Sequence, residues 1–537
     1  MTFIKTGSYL SRFVLKIVSF LWTFSIPCQE IISQRHDAKL DIPDSLIMEA
    51  YERAATQNVL AAVNPDIFFG YFSVCADGKG FGVGNTYPSL DGHQMTDALL
   101  WLDQLDVVKA NWNYVKTFQK QNGQLPLAIL PSEAGKQIGP IGFQVPVDPN
   151  GGLYRHWVPG DPLRALAGPT YIQNADVIFR FTQDLEWLLE ELPSINLTAD
   201  YLASLVTNEG AVRGAGYYIE RPTRIEYDGV AQCYVADAFH RVAALNTIAG
   251  NNTAASKYQE LANRIETFFR TRFWMNDHFA EYLHPERGFV ANHGLTDVDW
   301  SSIAMGMANP EQKAILWTML KNEKQFYYGG MPTGIATLPL SYEKWESTYD
   351  DVMDLAAMGR VWYIESWARA NMRDAQGLIE TIHRVCKAGH EHGYYWRERY
   401  NEKGGYGAEK YCEYPANLLR IIQRFLLGIE HGLDGTLYIG PTMPDEFWNA
   451  GFGQTLSWQG RMISYKMKLN LVKGEYSGEI SQQLSVRLDK PMNEKMIHVT
   501  INDNSGTFNI KDGWITVALP PASAIKPCRF EIEVLKY

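Results

Sequence analysis

The segment YYWRERY, residues 394–400, sets Glu398 between Arg397 and Arg399 and two residues from Trp396. A carboxylate among arginines and aromatic rings is suited to holding water or a hydroxyl rather than a metal, and a general base must be ionised before it activates water. A surface Arg-Glu pair is the plainer alternative. A second constellation lies in GVGNTYPSLDGHQMTDALLWL, residues 82–102, where a Gly- and Pro-containing loop delivers Asp91, His93 and Gln94 at the start of a helix, with Asp97 further along. Side chains at a helix mouth can be aimed into a cavity while packing fixes the backbone below. Capping accounts for Asp91 equally well, with Gln94 closing a capping box.

Three further stretches carry acids at helix starts or in long loops. RPTRIEYDGVAQCYVADAFHR, residues 221–241, offers Glu226 and Asp228; here capping by Asp228 ranks above catalysis, and either acid can bind a sugar hydroxyl. HGLTDVDWSSIAMG, residues 293–306, offers His293, Asp297, Asp299 and Trp300, with capping again an alternative for Asp299. GGMPTGIATLPLSYEKWESTYDDVMD, residues 329–354, places Glu343, Trp345 and Glu346 in a long loop, whose ordering needs a packing or binding reason. Trp157, Trp300, Trp345 and Trp396 are candidate platforms for a sugar face, with His93 and His293 as hydroxyl partners.

The elements that must position these residues are mostly helical. From residue 42 onward eleven segments repeat apolar residues every three or four positions, beginning with SLIMEAYERAATQNVLAA and ending with YPANLLRIIQRFLLGI. Consecutive segments are close enough for antiparallel hairpins, whereas alternate connections are long and rich in Gly, Pro, Trp and Tyr. Such a series predicts an (α/α)6 toroid, which requires twelve helices, one more than the pattern supplies. After about residue 434 the pattern changes to partial alternation between Gly, Asn, Asp and Pro turns, from TLYIG to CRFEIEVLKY. The expected organisation is an apolar segment over residues 1–41, a helical catalytic domain over 42–434 and an antiparallel β-sandwich-like domain over 435–537.

Composition narrows the function. The 537 residues carry a formal net charge of -11 with Lys and Arg scattered, which argues against a nucleic-acid surface. The six cysteines are far apart without a CxxC pair, as for buried thiols rather than a disulfide scaffold or zinc cluster. Lys5, Arg12 and Lys16 precede IVSFLWTFSIPC, which has some features of an export signal but is too short for a membrane span. We read it as a segment folding onto a cytoplasmic protein, with a secreted or periplasmic location as the alternative. GxGxxG, GxxxxGK, HExxH and GxSxG motifs are absent from the sequence.

The order of elements, together with WRERY, YCEYPANLLRIIQRFLLGI and GTLYIGPTMP, resembles the six-hairpin glycosidases, and in particular the α-L-rhamnosidase-like group, over roughly residues 55–460. In that group an inverting hydrolase takes its acid from an acidic loop entering an early barrel helix and its base from a late Trp-Glu segment. The resemblance of YPSLDGHQMTD to that loop implies Asp91 as the acid and Asp97 as a substrate-binding carboxylate; that of YYWRERY implies Glu398 as the base. Where those relatives carry a Cys-Pro, Arg and Glu motif, this chain has Tyr87-Pro88 and then Asp91, and a counterpart of the large N-terminal β-domain common among them is not expected from this sequence. The implied reaction is hydrolysis of an oligosaccharide or glycoside, with the two carboxyls about 6.5 to 9.5 Å apart to admit water. No step requires a metal or organic cofactor. A polysaccharide lyase, a sugar epimerase and a non-catalytic glycan-binding protein are the alternatives, and oligomeric state is left open.

Overall fold

The computed structural model describes residues 39–535 except 81, 83, 132–136, 139–144, 156–162, 216–223, 225, 347–354 and 489–495. The first 38 residues and Trp157 therefore lie outside the described residues. Ala38–Tyr537 forms one compact unit.

Among the described residues twelve α-helices precede the strand-rich part: α1 (Ser45–Arg53), α2 (Leu90–Trp101), α3 (Leu105–Lys116), α4 (Ala167–Thr182), α5 (Leu185–Ser204), α6 (Gly229–Ile248), α7 (Asn252–Phe268), α8 (Asp297–Ala304), α9 (Pro310–Leu320), α10 (Gly359–Asn371), α11 (Ala375–Glu391) and α12 (Glu413–Ile421). The twelfth comes from a break that periodicity conceals. GHQMTDALLWLDQLDVVKANW is two helices, α2 and α3, separated where Asp103 turns to φ 55°. A second positive φ, at Gln183, splits α4 from α5, while LTADYLASLV is the end of α5 rather than a separate helix. Neither break is marked by Gly or Pro, so the apolar spacing runs through both.

The even-numbered helices touch in succession, α2 to α4, α6, α8, α10 and α12, and α12 returns to α2. Every residue of α2 and of α8 is buried. Helices enclosed on all sides have little amphipathic contrast, and the polar residues they carry must be satisfied internally. The odd-numbered helices are the partly exposed layer, as in α11, which buries Leu378, Ile379, Ile382, Val385 and Cys386 on one stripe. Connections from even to odd helices are short, for example residues 102–104 and 372–374, whereas those from odd to even are long, for example residues 205–228 and 392–412. Antiparallel hairpins joined this way place the starts of the even helices together at the long-loop end.

The strands form two main sheets. One runs, in spatial order, Lys39–Asp41, Phe452–Trp458, Arg461–Lys468, Leu471–Ser477, Cys528–Val534, Ile497–Ile501 and Asn504–Ser505. The other runs Ile429–His431, Leu437–Ile439, Gln482–Val486, Trp514–Leu519 and Phe508–Lys511. Burial alternates along Arg461–Lys468, with Ile463, Tyr465 and Met467 inward, as period-two side chains on a half-buried sheet must. The sheets recruit Leu40, paired with Gln454, and Ile429, paired with Ile439, from outside the span 435–537. One pairing, Leu437–Ile439 with Gln482–Val486, is parallel rather than antiparallel. The five described cysteines are buried and free. No helix among the described residues is long and apolar enough to cross a membrane.

Candidate active site

Asp91 occupies the first turn of α2, two residues after the N-cap position Ser89, and does not cap the helix. Its carboxylate accepts from the Tyr411 hydroxyl and lies 3.4 Å from Arg360 Nη2. Arg360, at the start of α10, also donates its backbone N–H and Nε to Glu413, at 2.6 and 3.0 Å. One guanidinium thus joins the starts of α2, α10 and α12. Gln94 closes no capping box; it accepts from Asn417 Nδ2 at 3.0 Å.

Glu398 lies in the hairpin that Tyr411 closes. Residues 396–411 fold back on themselves, with Tyr411 N–H bonded to Trp396 carbonyl and Glu398 N–H to Ala408 carbonyl. The Glu398 carboxylate accepts from the Ala408 N–H at 2.9 Å and lies 3.2 Å from Arg399 Nε. The hairpin is stitched to other long loops by bridges between Cys75 and Tyr411 and between Ala357 and Tyr400. Asp91 and Glu398 act together on the same two phenols: burial first, then the charges of these carboxylates, push Tyr87 and Tyr411 far above the ordinary tyrosine range.

A second buried network faces the starts of α6 and α8. Arg224 lies 3.4 Å from Asp228 and 3.3 Å from Asp297, and donates also to Glu281. Glu281 further bonds His293 Nδ1 and accepts from Tyr342 hydroxyl at 3.0 Å. His293 Nε2 is 3.3 Å from Glu346, which accepts from Tyr282 hydroxyl at 2.6 Å. Burial opposes charge on His293, but its bonds to Glu281 and Glu346 outweigh this and raise it above the ordinary histidine value.

Several expected ligand contacts have other partners. Asp228 caps α6, accepting from Val230 and Ala231 N–H. Asp299 closes a capping box with Thr296 and accepts from Phe279 N–H. The Asp97 oxygens are taken by Arg420 and Arg424, whose charges outweigh burial and hold this carboxyl well below the usual range. His93 bonds Asn174 at 2.6 Å and is pushed down to about 3 by burial and then by Arg420. Trp300 and Trp396, expected as sugar platforms, are buried side chains, Trp300 packed on Trp317 and Phe326, Trp396 donating to Val385 carbonyl at 3.1 Å. Trp345 is partly exposed, but the Arg287 guanidinium sits 4.0 Å from its ring centroid. Sequence reading missed Tyr411, Arg360, Arg224 and Glu281. Arg360 and Glu281 did leave a trace, since each is a lone charge inside an apolar run, MGRVW and FAEYL.

The titrations make a stability prediction. Burial pushes both Asp228 and Asp299 up to about 7. Folded, they retain protons that the unfolded chain releases near the ordinary aspartate value of 3.8, so their contribution is complete below that value and is lost as pH rises through about 7. His93 and His431, both pushed down to about 3, act in the opposite sense only as pH falls through the ordinary histidine value of 6.5. The expected result is an unfolding midpoint that drops between about pH 6.5 and 8. Calorimetric scans across that interval check it, and a midpoint that rises would contradict the assignment.

Residues 196–420 match the family model of the mannosylglycerate hydrolase MGH1-like glycoside hydrolase domain. Over that span the chain is similar to a glycoside hydrolase domain. The matched span takes in Asp228, Glu281, His293, Glu346, Glu398 and Glu413, and begins after Asp91. Among solved structures, the chain is similar to a GH78 family rhamnosidase of Bacillus sp. GL1, with 11% identity, a TM-score of 0.61 and coverage of 85% of this chain and 43% of that one. It is also similar to an α-L-rhamnosidase of Dictyoglumus thermophilum, with 12% identity, a TM-score of 0.56 and coverage of 93% and 50%. For an α-L-rhamnosidase of Streptomyces avermitilis, complexed with L-rhamnose, the values are 12%, 0.54, 93% and 42%. At these identities the likeness is one of fold, and the chain spans half or less of those proteins. No curated protein matches it significantly in sequence. Among the described residues no group of three or more His, Cys, Asp and Glu is placed to hold a metal ion.

Proposed function

We propose that the protein is an O-glycosyl hydrolase acting on an oligosaccharide or glycoside, and that its twelve helices form an (α/α)6 toroid with the substrate cleft at the long-loop end. The succession of even-numbered helices returning from α12 to α2 supports the toroid. The observation that supports the reaction is that Asp91 accepts from the hydroxyl of Tyr411, whose backbone closes the same hairpin that carries Glu398, so two carboxyls on different elements share one neighbourhood.

In an inverting reaction Glu398 deprotonates water for attack at the anomeric carbon, while a protonated acid opposite delivers its proton to the departing oxygen. Asp91 is the first assignment for the acid. Asp228 is the second, favoured by two observations: burial keeps it protonated up to about pH 7, and it lies within residues 196–420 whereas Asp91 does not. Leaving-group chemistry separates them. Loss of the acid slows cleavage of alkyl glycosides and sugars strongly but spares dinitrophenyl glycosides, whose leaving group needs no proton. Of Asp91→Asn and Asp228→Asn, the acid variant is the one that shows this split. A purified protein that releases no sugar from a broad glycoside panel sinks the hydrolase reading, and the anomer first seen by NMR tests inversion.

Gly407 offers a gentler test of Glu398. Its φ is 76°, and a Cβ placed there would stand 2.5 Å from Glu398 Oε2. Gly407→Ala is expected to cost about 1–2 kcal/mol of stability through the left-handed backbone, and to lower kcat about 10²-fold by displacing the base. Full activity in the variant would show that the carboxylate position does not matter.

A further inference from the structure

Beneath Asp91, one and two turns along α2, His93, Gln94 and Asp97 line a cavity of about 130 Å³ enclosed by α2, α4, α6, α10 and α12. Neither Asp91 nor Glu398 lines it. Its walls hold two clamps of the same design. Asp97 takes Arg420 Nε at 2.8 Å and Arg424 Nη2 at 2.6 Å. Asp176 takes Arg180 Nε at 2.9 Å and Arg241 Nη1. Each buried carboxylate is therefore shared by two guanidiniums.

The remaining acids sit at the edges. Asp237 holds Arg241 Nε at 2.7 Å and also accepts from Gln173. Glu430, with 56% of its side chain exposed, meets Arg180 Nη1 at 3.1 Å at the rim. Arg180 Nη2, Arg241 Nη2 and Arg424 Nη1 have no hydrogen-bond partner among the described residues. These side chains converge on one cavity from α4, α6 and the turn after α12. Tyr363 stacks on Arg420, its ring centroid 3.8 Å from the guanidinium, which fixes the plane of that fork.

Guanidinium edges recognise planar or tetrahedral oxyanions with parallel N–H bonds, and buried positive groups are stabilised when such a partner completes them. We propose that this cavity is a second site, distinct from the acid pair, that binds a small oxyanion, a phosphate or a short carboxylate. Arg360 is part of both sites, lining the cavity and lying 3.4 Å from Asp91, so occupancy reaches the candidate acid through one side chain.

The test titrates the full chain with inorganic phosphate, and separately with glycolate, by calorimetry at constant ionic strength. Saturable one-to-one binding by either anion, weakened at least tenfold in Arg241→Gln and in Arg424→Gln but not in the surface variant Arg529→Gln, is the expected result. The anion that binds more tightly identifies the source chemistry. Each variant leaves one arginine on its aspartate, which favours folding; should both fail to fold, selenate located by anomalous scattering in wild-type crystals decides. Selenate in the cavity upholds the site. No saturable binding, binding unaffected by both variants, or selenate only elsewhere overturns it.

Discussion

Glu398→Gln is expected to lower glycoside hydrolysis about 10²–10⁴-fold, the range for losing a general base. The substitution preserves shape and keeps an oxygen for the Ala408 N–H now 2.9 Å from the carboxylate, so the hairpin should stay closed. It removes the lone pair that takes a proton from water. Because Arg399 Nε lies 3.2 Å away, the variant also loses one ion pair, and unfolding must be measured beside activity to separate the two effects. Small anions that act as external nucleophiles, such as azide, should partly restore turnover in a smaller side chain, Glu398→Ala, since they replace the activated water. Undiminished hydrolysis by folded Glu398→Gln would remove this residue from the mechanism and leave the other acids at the long-loop end, Glu346 and Glu413 among them, as candidates.

Arg224→Met is expected to destabilise the protein by about 3–5 kcal/mol at neutral pH, the cost of breaking a buried ion pair from one side. Arg224 and its three acids, Asp228, Glu281 and Asp297, are fully buried, and Arg224 is the guanidinium that lies against all three. Burial would lower the arginine's affinity for its proton, yet the charges of Asp297, Glu281 and Asp228 raise it well above normal. Removing that charge leaves three desolvated carboxyls facing one another, and the cheapest response is to protonate. The deficit should therefore shrink as pH is lowered from 8 toward 5, which denaturant unfolding at several pH values measures. A deficit under about 1 kcal/mol, or one independent of pH, would mean that the three acids are already neutral in the wild type.

What the sequence determined by itself is local. Apolar spacing located the helices, alternation located the strands, and the composition of YYWRERY and YPSLDGHQMTD singled out Glu398 and Asp91, because period and neighbouring residue type are properties of a few consecutive positions. Even there it missed the breaks at Asp103 and Gln183, where a non-glycine residue takes a positive φ without any Gly or Pro to mark the turn. The tertiary structure decided everything that depends on partners far apart in the chain. Arg360 meets Asp91 across 269 residues, and Arg420 meets Asp97 across 323. Those pairings turn Asp97 from an available ligand into the centre of an arginine clamp. Burial decided likewise for Trp300 and Trp396: a tryptophan has the same ring whether it lines a cleft or fills a core, and only the packing around it determines which.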